Sequence, residues 1–125
     1  MLEIALDHTE SGVFQKDIAE RQQISVKYLD NIIASLKTAG LIINKRGRKS
    51  GYKLSRPPSE ITMLDIYKAF EPAMTIVDCM EQGYDCTLYN TCGARSFWHG
   101  LNEKITEYFG SYTLNDLIRV HKSRV

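Results

Sequence analysis

A chain of 125 residues, 43% of them apolar, is long enough to bury one core, and its formal net charge of +1 rules out nucleic-acid binding by bulk charge alone. No apolar run approaches the length of a bilayer span. The N-terminus has no basic region leading into an apolar stretch and cleavage site, so the expected location is the cytoplasm.

In chain order, Met1 to Asp7 has a helical pattern but no N-cap and begins on apolar residues, so it reads as the second half of a longer helix that ends before Ser11-Gly12. Phe14 to Arg21 is a short amphipathic helix with Ile18 and Ala19 inward, and Gln22-Gln23 form a turn. Ser25 is placed to cap the next helix, in which Leu29, Ile32, Ile33 and Leu36 recur at helical spacing and Gly40 supplies the stop. Its other face carries Lys27, Tyr28, Asp30 and Asn31 near the N-terminus, the layout of a helix-turn-helix. Leu41 to Ile43 and Gly51 to Leu54 read as two strands of a hairpin. Lys45, Arg46, Arg48, Lys49, Lys53 and Arg56 fall in one stretch without an acidic residue, so the hairpin tip is basic. A basic hairpin directly after the second helix is a wing, and a local basic stripe binds phosphate even when the whole chain is near neutral.

Arg56-Pro57-Pro58-Ser59 reads as an extended connector that excludes helix. Thr62 with Asp65 opens another helix carrying Leu64, Ile66, Tyr67, Ala69 and Phe70, broken at Pro72. Farther on, Ala94, Phe97, Trp98, Leu101, Ile105, Tyr108 and Tyr112 form an apolar stripe at three- and four-residue spacing. A stripe with this much aromatic surface needs a cover. The same helix of a second copy, giving a two-fold dimer, is the economical one, and an intramolecular contact is the alternative. Thr113 and Asp116 repeat the capped start for a last helix with Leu114, Leu117, Ile118 and Val120, and the tail from His121 to Val125 is expected to fray. The expected fold is mainly α with a small β-wing: a winged helix-turn-helix over residues 1–58, then a helical dimerisation region over residues 59–125 built around a long helix.

The 3 cysteines of the chain, Cys79, Cys86 and Cys92, all sit in one polar loop, and their odd number argues against a disulfide scaffold. Thiolates select iron-sulfur clusters, zinc or copper(I), and this loop lacks the Cys-x-x-Cys knuckle usual in structural zinc sites, so a cluster is the preferred reading. His8, His99 and His121 stand in no spacing that names a catalytic pair, and no phosphate-cradling motif occurs, so an enzyme is not expected.

Several runs together carry a family resemblance across nearly the whole chain: Ile24 to Leu29, Leu36 to Leu41, Arg46-Gly47 through Gly51-Tyr52, and Pro58 to Thr62. They resemble the Rrf-type winged-helix repressors, bacterial regulators of iron-sulfur assembly, nitric-oxide response and cysteine metabolism. Cys79, Cys86 and Cys92 with Trp98 after them align it with the cluster-binding members. The resemblance implies a homodimer on double-stranded DNA, packed through the long helix after the cysteine loop. It implies an iron-sulfur cofactor, 2Fe-2S in preference to 4Fe-4S, with base reading by Lys27, Asp30 and Asn31 and entry of Arg46 into the minor groove. Ser25, Tyr28, Arg48 and Lys49 complete the expected DNA-binding set. Asn31 suits adenine and Asp30 can accept from cytosine, while an arginine gains from the negative potential of a narrow minor groove. Tyr52 is expected under the wing and not on DNA.

The chain departs from that family pattern at three places. Ser50 replaces a wing-tip glycine, with Arg48-Lys49 adding charge; the opening helix lacks its front half; and Arg95, which cannot ligate, stands where assembly regulators place a histidine after the last cysteine. The fourth ligand is therefore open, with His99 one helical turn beyond as the candidate. The leading reading is a transcriptional repressor sensing redox state, nitric oxide or iron-sulfur status. The alternative is a cluster- or zinc-binding partner module of the same family that does not bind DNA.

Overall fold

In the computed structural model, which describes residues 1–45 and 51–125, six α-helices and one two-stranded sheet follow in the order α1 (Leu2–Leu6), α2 (Gln15–Gln22), α3 (Val26–Thr38), β1 (Ile42–Asn44), β2 (Tyr52–Leu54), α4 (Met63–Lys68), α5 (Arg95–Ser111) and α6 (Leu114–Arg124). Ser25 caps α3 by accepting the Tyr28 N–H at 3.0 Å, and Leu29, Ile33 and Leu36 point into the core with Ile32 against it. Gly40 follows α3 with φ +73°, a left-handed turn that ends the helix without a Cβ penalty. The turn between α2 and α3 is made by Gln23, also left-handed at φ 54°.

β1 and β2 pair antiparallel in the register Ile42–Leu54, Ile43–Lys53 and Asn44–Tyr52. A third segment is tied to their base. The Val13 N–H donates to Tyr52 O at 3.1 Å, the Tyr52 N–H to Val13 O at 2.7 Å, and the Gly51 N–H to Ser11 O at 2.7 Å. The hairpin is thereby anchored to the chain entering α2, so wing and helix-turn-helix form one unit. Tyr52 is half-buried against the core, with the Lys37 ammonium 5.8 Å above its ring. Arg46, Arg48, Lys49 and Ser50 lie outside the described residues.

The starts of α4 and α6 lie side by side. Both have a complete capping box, Thr62 with Asp65 and Thr113 with Asp116, and Thr62 and Thr113 form an isolated antiparallel bridge. Its bonds run from the Met63 N–H to Tyr112 O and from the Leu114 N–H to Ile61 O, each 2.8 Å. Ile61 and Leu114, the residues flanking this bridge, are both 0% exposed and join Ile4, Leu29, Ile33, Leu36 and Ile42 in one core cluster.

Two local expectations are corrected. Pro58 to Glu60 form a short 3-10 turn, because a proline at the first position of such a turn gives up only an N–H that has no partner there anyway. The tail is helical: α6 continues through Arg124, with His121, Lys122 and Arg124 at its C-terminal, partially negative end.

Candidate nucleic-acid interface and cysteine site

The outer face of α3 presents Lys27, Tyr28, Asp30 and Asn31, all exposed, beginning one residue after Val26 opens the helix. Three of these keep their side chains free of any hydrogen bond within the described residues. Asp30 does not: Gln15 Nε2, from the first residue of α2, donates to Asp30 Oδ1 and also to the Val26 carbonyl at 3.3 Å. Ser25 is committed to its cap, so its hydroxyl oxygen orders the start of the reading helix. Lys53 on β2 donates to the Thr9 carbonyl, which ties this cation to the base of the wing.

The cysteines come from two separate turns. Cys79 sits in a 3-10 turn over Asp78–Met80, and this arm is held to α5 where the Ile76 N–H donates to Asn102 Oδ1 at 3.2 Å. Cys86 and Cys92 belong to a run of turns: the Tyr89 N–H donates to Cys86 O at 3.1 Å, the Cys92 N–H to Leu88 O at 2.8 Å, and the Arg95 N–H to Cys92 O at 3.4 Å. This second arm leads directly into α5. It is strapped to the helix by Arg95, whose guanidinium stacks 3.5 Å from the Tyr89 ring centre and also donates to the Tyr89 hydroxyl.

The two arms enclose a cavity of about 550 Å³ lined by Cys79, Cys86, Cys92, Arg95, Trp98 and His99, among others. All three cysteines are free thiols. His99 Nε2 lies 3.3 Å from Glu103 Oε1, one turn along α5, so Nδ1 is the ring nitrogen left for another partner. Metal-binding histidines usually have their second nitrogen held by a carboxylate in this way. Three soft thiols and an imidazole on one cavity wall are the donor set of an iron-sulfur or zinc centre. Among the described residues, however, no three His, Cys, Asp or Glu side chains stand close enough together to hold a metal ion. The residues fit the group by chemistry and by the cavity they share.

The sequence pattern singles out the cysteines, the α3 face and His99. It does not reveal Gln15, Asn102 or the Tyr89–Arg95 strap. Asn102 left a signal, a polar residue inside an apolar stripe; Gln15 left none, since its partner is 15 residues away.

A short helix pair, an exposed polar second helix and an anchored two-stranded wing define the protein as a winged-helix regulator. The chain belongs to the Rrf2 family, described as iron-dependent transcriptional regulators, which it matches over residues 1–120. It is 35% identical over 119 residues to protein rrf2 of Nitratidesulfovibrio vulgaris strain Hildenborough, covering 95% of this chain and 79% of that protein. To the HTH-type transcriptional regulator IscR of Xenorhabdus nematophila it is 33% identical over 120 residues, covering 95% of this chain and 72% of the relative. Among solved structures it is similar to CymR, the global cysteine regulator of B. subtilis, with a TM-score of 0.73, 31% identity and coverage of 93% and 84%. The structure of T. potens IscR is similar with a TM-score of 0.72, 32% identity and coverage of 96% and 78%. These relatives are regulators of transcription and not enzymes. No helix among the described residues is long and apolar enough to cross a membrane.

Proposed function

We propose that the protein is a cytoplasmic repressor that binds an inverted-repeat operator as a homodimer and senses redox state, nitric oxide or iron-sulfur status. Residues 1–58 are the DNA-gripping part and residues 59–125 the dimerising and sensing part. Lys27, Asp30 and Asn31 read base edges, Ser25 and Tyr28 set and position the reading helix, Arg46 enters the minor groove, and Arg48 and Lys49 meet phosphate.

The observation that carries this reading is the placement of Cys79, Cys86 and Cys92 around one cavity at the head of α5. Those thiols, with His99 as fourth ligand, would hold an iron-sulfur cluster, 2Fe-2S in preference to 4Fe-4S. When bound, such a group supplies a centre that reacts with oxidants and nitric oxide. For the three thiols to share it they must draw closer together than they stand here, which orders the cysteine loop against α5. The outward stripe of α5 is the proposed dimer surface. Ordering its head biases the spacing of the two α3 helices, and paired reading helices must reach successive major grooves on one face of DNA. A preference of about 1.4 kcal/mol between dimer geometries changes operator affinity about tenfold, so a small bias suffices.

The test is an absorption spectrum with iron, sulfide and zinc analysis of anaerobically purified protein, followed by titration of one labelled operator before and after nitric oxide or chelation. Visible charge-transfer bands, fixed iron and sulfide stoichiometry and an affinity change of about tenfold are expected. Colourless protein with stoichiometric zinc sinks the cluster, and superimposable titrations with an intact dimer make the centre structural only.

A further inference from the structure

Gln15 is remote in sequence from every residue expected to read DNA, yet its side chain ends on the reading face. It is the first residue of α2 and half-buried, and its amide nitrogen lies between two acceptors on α3, Val26 O at 3.3 Å and Asp30 Oδ1. A primary amide has two N–H donors, so this pair of bonds uses both and fixes which way the amide faces. Asp30 is exposed, and without such a bond a surface carboxylate samples several rotamers and turns from nearby phosphates.

We infer that Gln15 is a specificity-determining residue that acts by aiming the Asp30 carboxylate at the DNA. The inference rests on the proposal that the outer face of α3 reads base edges. With Oδ1 held by Gln15, Asp30 keeps Oδ2 to accept a hydrogen bond. A carboxylate acceptor is satisfied in the major groove by the amine of cytosine or adenine and opposed by the acceptor edges of guanine and by thymine O4. Held in place, it therefore penalises the wrong base as well as favouring the right one. Released, it swings into water, and the penalty disappears with it. Gln15 is a positioning residue here: it has no donor left for the DNA, and its effect passes through Asp30.

The experiment uses the full chain and a panel of operators in which each base pair is changed in turn, with competition binding of wild type, Gln15→Ala, Gln15→Met, Asp30→Ala and the Gln15→Ala/Asp30→Ala double variant. Gln15→Met keeps side-chain length and helix preference without a donor, and thermal melts of each variant check folding. The expected result is that Asp30→Ala and both Gln15 variants lose about tenfold in discrimination at one shared base pair, while the double variant matches Asp30→Ala alone. A uniform fall in affinity across the panel for Gln15→Met overturns the inference, as does an equal effect of Gln15→Ala with and without Asp30. If Asp30→Ala relaxes no base pair, the inference fails together with the base-reading role of Asp30; if only the Gln15 variants fail to relax it, that role stands and the inference alone falls.

Discussion

Gly51 occupies a place with no room for a side chain. A Cβ there would lie 2.5 Å from both the carbonyl carbon and oxygen of Val13, and one on Gly12, already at φ +79°, would lie 2.9 Å from the Gly51 carbonyl carbon. The wing base is a backbone-to-backbone contact, and backbone cannot move aside as a flexible side chain can. Gly51→Ala is therefore expected to destabilise the fold by ~1–3 kcal/mol, read as a lower denaturation midpoint, and to weaken DNA binding by tilting the wing. Unchanged midpoint and affinity would show that the wing is not anchored there. On the reading face the expected outcomes separate by chemistry. Asn31→Ala should cost ~1–3 kcal/mol at one base pair and relax preference there. Lys49→Ala should weaken all sequences alike and reduce the salt slope by about one. Identical behaviour of the two variants in salt-dependent titrations of operator and random DNA would argue against base reading by α3.

At the scale of elements, the paired starts of α4 and α6 determine how the second half of the chain joins the first. The Thr62 and Thr113 caps each satisfy N–H groups at a helix start, and the bridge between them holds Ile61 and Leu114 at the centre of the core. Thr62→Ala should cost ~1 kcal/mol, and the double variant with Thr113→Ala should depart from additivity because the caps share one bridge. Asp65 is held below the ordinary aspartate value of 3.8, first by the Thr62 N–H, then by the Thr62 hydroxyl and Arg56, with partial burial opposing. Asp116 is lowered in the same direction, first by the Thr113 N–H and then by Arg119 and the Thr113 hydroxyl. A carboxyl with a lowered folded pKa adds stability that is complete above its unfolded value and is lost as pH falls through the folded one. Stability measured by urea unfolding should thus decline below about pH 4, and Asp65→Asn with Asp116→Asn should flatten that decline. An identical acid limb in the variant would remove the caps from the account.

At the scale of the whole molecule, α5 carries an exposed apolar stripe. Phe97 is 64% exposed, Leu101 37% and Tyr108 67%, while Phe109 of the same helix packs edge-on to Tyr67 of α4 at 5.5 Å. A stripe of this kind is the expected seam of the proposed dimer. Leu101→Glu should leave the protomer folded by circular dichroism, since the site is open in the single chain, and should halve the mass found by light scattering. Operator affinity should fall sharply as two linked half-site contacts become one. A dimer that survives Leu101→Glu places its seam elsewhere.

Helix starts and stops, inward faces and the wing were legible in the sequence because each follows from neighbours a few residues apart. Ser25 caps the turn it begins, Gly40 ends α3 by its own left-handed conformation, and Leu29, Ile33 and Leu36 share a face by helical period. The cysteines declared a soft-ligand loop by residue type alone. The tertiary structure alone decided which segments meet. Gln15 finds Asp30 across 15 residues and Ile76 finds Asn102 across 26, while Thr62 and Thr113 join as one bridge. Whether the thiols line one cavity was decided there too. Such contacts depend on how rigid elements pack against one another, and packing satisfies the shape of the whole core at once, which no local periodicity encodes.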